Sequence, residues 1–160
     1  MRKVAIIMGS DSDLPLVRKS ADQLEELNIP YEMHIYSAHR TPDQADQFAA
    51  EARERGFGVI IAAAGMAAHL AGAIAARTTL PVIGIPCNSG QIGGIDALLS
   101  TVQMPPGVPV ASVGIDGAKN AALLAAQILA VEDDALAARL DDKRRQDAER
   151  VLAKDQELEV

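Results

Sequence analysis

The feature that most narrows the fold is an alternation of two periodicities. Short apolar runs at residues 3–8, 29–36, 59–63, 82–85 and 110–113 are separated by segments whose apolar residues recur at helical spacing. Asp13, Leu16, Ala21, Leu24 and Leu27 define the first helix, up to about Asn28. Later helices are expected over residues 42–55, 67–78, 95–102 and 119–130. Repeated strand, crossover and strand builds a parallel sheet with helices on both faces. The expectation is therefore an α/β chain forming a three-layer, doubly wound, flavodoxin-like sheet, with strand order 2-1-3-4-5 as the natural candidate.

With 160 residues, one core is expected, covering residues 3–130 of a single domain over residues 1–160. Aromatic residues are scarce (two Phe, two Tyr, no Trp), so Ala, Val, Ile and Leu must fill that core. Residues 132–160 read as a charged helical extension whose apolar positions Leu136, Leu140, Val151 and Leu152 are too sparse for a core helix, so packing on a neighbouring copy is expected. The segment 67–78 is apolar around nearly its whole circumference, which predicts cover by a second subunit and hence a homo-oligomer.

Acidic residues outnumber basic ones 22 to 15, for a net charge of −7, which disfavours general binding to nucleic acid or anionic membrane. The apolar run after Met1-Arg2-Lys3 stops at Gly9, too early for a secretory core, and no apolar stretch is long enough to cross a bilayer. A lone Cys87 excludes an internal disulfide and a multi-cysteine zinc site. A soluble cytoplasmic protein is the expectation.

In an open parallel sheet ligands gather beyond the carboxyl ends of the strands, which directs attention to four loops. The first, Gly9-Ser10-Asp11-Ser12-Asp13, combines a flexible glycine, two hydroxyls and a helix start, a setting that suits an anion. On the loop alone, Ser10, Ser12 or Asp13 reads first as a cap of the helix. Asp13 would repel phosphate and better suits sugar hydroxyls. No Gly-x-x-x-x-Gly-Lys-Ser/Thr and no Gly-x-Gly-x-x-Gly is present, so the usual ATP and dinucleotide motifs are missing.

The second loop, Ser37-Ala38-His39-Arg40-Thr41-Pro42, sets an imidazole beside a guanidinium before a helix opened by Thr41 as cap and Pro42 in the first turn. Arg40 can grip phosphate with paired donors, and His39 can give and take a proton near neutral pH. The third, Ala64-Gly65-Met66-Ala67-Ala68-His69-Leu70, leaves backbone amides beside small side chains, so a flat ring could approach closely. His69 can be read as a hydrogen-bonded core residue or a subunit contact, and His34, in an alternating strand, as structural. Cys87, in the fourth loop region, has no base that the sequence supplies.

Together with Gln103-Met104-Pro105-Pro106-Gly107-Val108-Pro109-Val110, these segments closely resemble the phosphoribosylaminoimidazole carboxylase catalytic-subunit family, in its bacterial N5-carboxyaminoimidazole ribonucleotide mutase branch. The resemblance spans residues 3 to about 130. It implies a homo-octamer without metal or organic cofactor, acting on a ribonucleotide and a trapped CO2 molecule in purine biosynthesis. It further implies His39 as general acid and base, Ser10 and Arg40 at the phosphate, Asp13 at the ribose, and the migrating carboxylate near residues 65–68. Ser12, Gly65, Ala67 and His69 complete the implied substrate-binding set.

Departures from the family pattern are Met66 and Ala63 where Gly is common, Ala71 where Pro is common, and Ala97 where Asp-Ser-Leu is usual. Met66 stands where the branch that takes CO2 directly carries Arg-Ser-Asn, whereas Ala67, Ala68, His69 and the His39-Arg40 pair match the mutase branch. Direct carboxylation of aminoimidazole ribonucleotide is the enzymatic alternative. A flavodoxin-like nucleotide-binding module is the other, opposed by the lack of stacking aromatics for a flavin and by Ala62-Ala63-Ala64 where a phospho-receiver needs an aspartate.

Overall fold

A computed structural model describes residues 1–158; the last two residues of the expected 132–160 extension lie outside the described residues. Strands β1 (Lys3–Met8), β2 (Tyr31–Ile35), β3 (Phe57–Gly65), β4 (Val82–Cys87) and β5 (Ala111–Ser112) form one parallel sheet in the order β2-β1-β3-β4-β5. The expected doubly wound architecture and strand order are both present.

The two-residue period of β1 shows how the layers are built. Val4, Ile6 and Met8 point into a cluster shared with helices α1 (Leu14–Glu26) and α5 (Ala118–Ala130), while Ala5 and Ile7 point to the other face, against α2 (Pro42–Glu51) and α3 (Leu70–Ala75). Helix α4 (Ile95–Val102) lies on the α3 side, where Thr101 and Ala71 both crowd Gly84 of β4. A strand buried on both faces must be apolar throughout, which is why β1 and β3 read as unbroken apolar runs.

Four expectations change in extent or meaning. Helix α3 is two turns rather than the expected 67–78, because Ala68 N–H and His69 N–H donate to the carbonyls only two residues back, at Met66 and Ala67, and hold residues 66–69 in a tight turn instead. Nor does α3 need a partner to cover it: Leu70, Ala71, Gly72 and Ile74 are buried within their own chain. The uncovered apolar stripe lies on α4, where Ile95, Leu99 and Val102 recur at i, i+4 and i+7 and are each about half exposed. Thr41 is not a side-chain cap of α2; its hydroxyl instead accepts from Ser37 N–H at 2.8 Å and donates to Ser37 O at 3.2 Å, closing the loop that precedes the helix.

The fourth change concerns helix α6 (Asp134–Gln156), whose start docks on its own subunit. Asp133 caps it by accepting from Leu136 N–H at 2.9 Å. Leu136 is fully buried in the α1/α5 cluster, Leu140 packs against the same cluster, and Arg139 Nε donates to Leu27 O at 3.0 Å across α1. Val151 and Leu152, further along, remain exposed. No helix of the described residues is long and apolar enough to cross a membrane.

Candidate active site

Chain order reverses between β1 and β3, since β1 leads outward to β2 on one side while β3, β4 and β5 follow on the other. Loops leaving neighbouring strands at such a point diverge and leave a crevice. Here Gly9 N–H donates to Ala63 O at 3.1 Å, pinning the end of β1 to the end of β3 at the crevice floor. The cavity above is about 490 Å³ and is walled by Gly9, Ser10, Ser12 and Asp13 on one side, residues 37–40 on another, and residues 64–67, 69 and 70 with Ser89 on a third. All eight residues of the implied catalytic and substrate-binding set line it: His39, Ser10, Ser12, Asp13, Arg40, Gly65, Ala67 and His69. His34 does not, being stacked on Tyr36 with ring centroids 5.2 Å apart.

The first wall is a one-turn helix, Asp11–Asp13, capped by Ser10, whose Oγ accepts from Ser12 N–H at 3.3 Å and from Ser12 Oγ at 3.0 Å. Capping is therefore Ser10's work in the free protein, and Asp13 makes no such bond. Asp13 is 8% exposed, and its carboxyl is held above the usual carboxylate range, first by burial and then by the negative charges of Asp11 and Asp116. A group so placed favours neutral hydrogen-bonding partners, such as sugar hydroxyls, over phosphate.

The second wall is organised by Arg40. Its Nη2 donates to Gly9 O at 2.9 Å, and its own N–H donates to Ser37 Oγ at 3.1 Å. Because a guanidinium carries five N–H donors in a planar fork, one bond to Gly9 leaves others for an anion beside Ser10. His39, the preceding residue, lines the same cavity as Ser10 and Gly65.

The third wall is made by two loops, after β3 and β4, that approach one another closely. A side chain at Gly65 would collide with Ser89 Oγ, so the glycine is required by the serine above it. Met66 follows with φ of +53°. Ala64, Ala67 and Leu70 line the same end and present only small or apolar surface. Ser89 and Ser37 were not singled out from the sequence; their position after a strand end was the only available signal. Behind this wall, Asp116 Oδ1 accepts from Asn88 N–H at 2.9 Å and ties the Ser89 loop to the segment before α5.

Cys87 is buried at the end of β4, with its thiol pushed up to about 12, first by burial and then by Asp13 and Asp116. It does not line the cavity. Burial and the raised pKa both disfavour a thiolate there, and the sequence supplies no base to form one. The cavity lining includes no Phe, Tyr or Trp, so a flavin would find no ring to stack upon.

Comparison with known proteins gives a consistent picture. Residues 3–150 match the family described as AIR carboxylase. The chain is 60% identical over 132 residues to the N5-carboxyaminoimidazole ribonucleotide mutase of Pyrococcus abyssi, covering 82% of this chain and 76% of that protein. It is 55% identical over 157 residues to the mutase of the same name from Bacillus subtilis, covering 97% of each. A crystal structure of a Treponema denticola PurE2 variant superposes with a TM-score of 0.88 at 29% identity, over 100% of both chains.

Proposed function

Because the chain belongs to the AIR carboxylase family, we infer that it is an N5-carboxyaminoimidazole ribonucleotide mutase of purine biosynthesis, converting its substrate to 4-carboxy-5-aminoimidazole ribonucleotide. The high identity over most of the chain to proteins bearing that mutase name supports this activity over direct carboxylation. The observation that carries the assignment of roles is the convergence of three chemically distinct walls on one cavity: the loop of Ser10, Ser12 and Asp13, the His39-Arg40 loop, and the largely apolar turn at residues 64–67.

Ser10 and Arg40 hold the 5′-phosphate, Arg40 with the donors that Gly9 leaves free, and Ser12 supports them. Asp13 accepts from the ribose hydroxyls. This orientation puts the aminoimidazole beside His39 and the N-carboxylate over Gly65 and Ala67, with His69 at the start of α3 closing the site.

The chemistry needs a proton at two places in turn. His39 donates a proton to the exocyclic nitrogen as its bond to the carboxyl carbon breaks; the bonding pair stays on nitrogen and CO2 is released into the apolar end. The freed amino group pushes electron density into the ring, whose C4 attacks CO2 to form the new carbon–carbon bond. His39 then takes the C4 proton, so the imidazole ends as it began and no cofactor is consumed. Acid–base help of this kind contributes about 10²- to 10⁴-fold. The remainder comes from holding CO2 against the ring and excluding water.

Two further parts of the reading concern the cell and the assembly. The absence of a long apolar helix among the described residues and the chemistry of the substrate support a cytoplasmic location. The half-exposed stripe Ile95, Leu99 and Val102 on α4, with Ile92 beside it, supports a homo-oligomer, and the family resemblance makes the expected form an octamer.

The test is conversion of N5-carboxyaminoimidazole ribonucleotide by the wild type and by His39→Asn, corrected for spontaneous decarboxylation and run without added bicarbonate. Rapid formation of the C4-carboxylate, lost in the variant, is the expected result. Product only from the decarboxylated ribonucleotide plus CO2 would replace the mutase reading with a carboxylase.

A further inference from the structure

Three non-glycine residues among those described have a positive φ: Asn28 at +53°, Asp116 at +56° and Met66 at +53°. Asn and Asp tolerate this left-handed region because their short polar side chains bond locally, but a long unbranched residue has no such compensation. A strained residue in a core can be held there by what it buries. Met66 buries little, being 59% exposed, so packing does not account for its conformation. Gly, common here in the family, suits this backbone; the methionine held in it is this chain's departure, and strain that packing does not account for is a pointer to function.

The place of the side chain suggests which function. Met66 lines the active cavity and follows Gly65, where the notional carboxylate sits. Its Cγ lies 3.5 Å from the position a Cβ would occupy at Gly90, so the side chain reaches from the β3 loop across to the β4 loop. Ser89, the neighbour of Gly90, reaches back over Gly65. The two loops therefore meet beside the cavity that Gly65, Met66 and Ser89 all line, and Met66 is the large apolar side chain at that meeting. A right-handed backbone at residue 66 would aim the side chain elsewhere.

We propose that Met66 is a retention residue: its side chain covers the apolar end of the cavity and slows escape of the CO2 formed in mid-reaction, so that the carboxyl carbon returns to the ring it left. This deepens, and rests on, the mutase reading above. An unbranched thioether is suited to the task, since it is apolar, polarizable and able to fit against a small linear molecule. Met66 takes no part in proton transfer; its effect is on how the intermediate partitions between attack by C4 and loss to solvent.

The experiment uses N5-carboxyaminoimidazole ribonucleotide labelled with ¹³C in the carboxylate, in buffer with unlabelled bicarbonate and carbonic anhydrase, so that any CO2 that escapes is diluted before it can return. Wild type, Met66→Gly and Met66→Leu are compared by the fraction of label kept in the C4-carboxylated product and by the amount of decarboxylated ribonucleotide released. Glycine accepts a φ of +53° without strain, so Met66→Gly is expected to fold and to melt no lower than wild type. The expected result is several-fold greater loss of label in Met66→Gly, with Met66→Leu close to wild type because its volume is similar. Equal retention by Met66→Gly and wild type would overturn the proposal and leave the mutase reading intact. Loss from Met66→Leu as great as from Met66→Gly would also overturn it, since filling the space would then not matter. No C4-carboxylate from the wild type would overturn both readings together.

Discussion

Arg40 Nη2 donates to the carbonyl of Gly9 at 2.9 Å, so the loop that carries His39 is fastened to the loop that carries Ser10. The consequence is that a residue assigned to bind phosphate also sets the distance between the phosphate end of the cavity and the proton carrier. In the proposed roles, binding and chemistry share one guanidinium.

Arg40→Lys tests this double role. A lysine keeps the charge but is a point donor and cannot serve Gly9 O and a phosphate with a planar fork. Loss of one charge-assisted hydrogen bond, about 1.5–3 kcal/mol, corresponds to roughly 10- to 100-fold in affinity. The expected outcome in steady-state kinetics is an increase of that order in KM with a smaller fall in kcat. A kcat loss matching that of His39→Asn with unchanged KM would show that Arg40 acts only on the imidazole.

The alternation of the chain revealed the sheet and the location of the cavity, because strand period and helix period differ and because ligand loops follow strand ends; the strand order was only the natural candidate for such a fold. The loops that hold the cavity's residues were legible for the same reason, while the roles of those residues came from the family resemblance. What was not legible depended on backbone angles and on contacts between distant segments. The turn at Met66, which shortens α3, is a φ value that the Ala-rich run 62–68 does not announce. Ser89 matters because it sits over Gly65, a pairing across β3 and β4 that no local motif marks. Pro109, which lacks an N–H, precedes β5, and that strand keeps only Ala111 and Ser112 of the expected 110–113.

Asp13 carries a prediction in pH. Its folded value is raised, first by burial, so between the ordinary carboxylate range near 3.8 and the raised value the folded protein holds a proton that the unfolded chain has lost. The folded state binds more protons there, and stability falls as pH rises through that window. Asp13→Asn should remove this loss. Denaturant midpoints taken from pH 4 to 7 should fall with pH less steeply for the variant, which at neutral pH should be at least as stable as wild type. Its KM should nevertheless rise by about tenfold or more, because the charged acceptor proposed for the ribose is gone. A variant less stable than wild type at pH 7 would mean that Asp13 is a structural support instead of a binding group kept at a cost.

Helix α6 combines two surfaces of opposite character, and they should separate under mutation. Near its start, Leu136 is fully buried among residues of α1 and α5, and Arg139 and Lys143 reach Leu27 O and Glu26 on α1 at 3.0 and 3.3 Å. Removing a fully buried leucine side chain costs about 2–5 kcal/mol, a large part of the stability of a domain this size. Leu136→Ala should therefore lower the melting temperature and the denaturant midpoint of the subunit itself. Val151 and Leu152 are 66% and 61% exposed, so the subunit gains almost nothing from them. If that end of α6 packs on a neighbouring copy, the double change Val151→Ser with Leu152→Ser should shift the sedimentation profile towards smaller species and leave the secondary structure seen by circular dichroism intact. An unchanged profile, with Leu99→Asp on α4 dissociating the assembly, would place the subunit contact on α4 alone and leave the far end of α6 in solvent. The buried leucine decides whether the helix is docked, and the exposed pair decides whether docking continues beyond one chain.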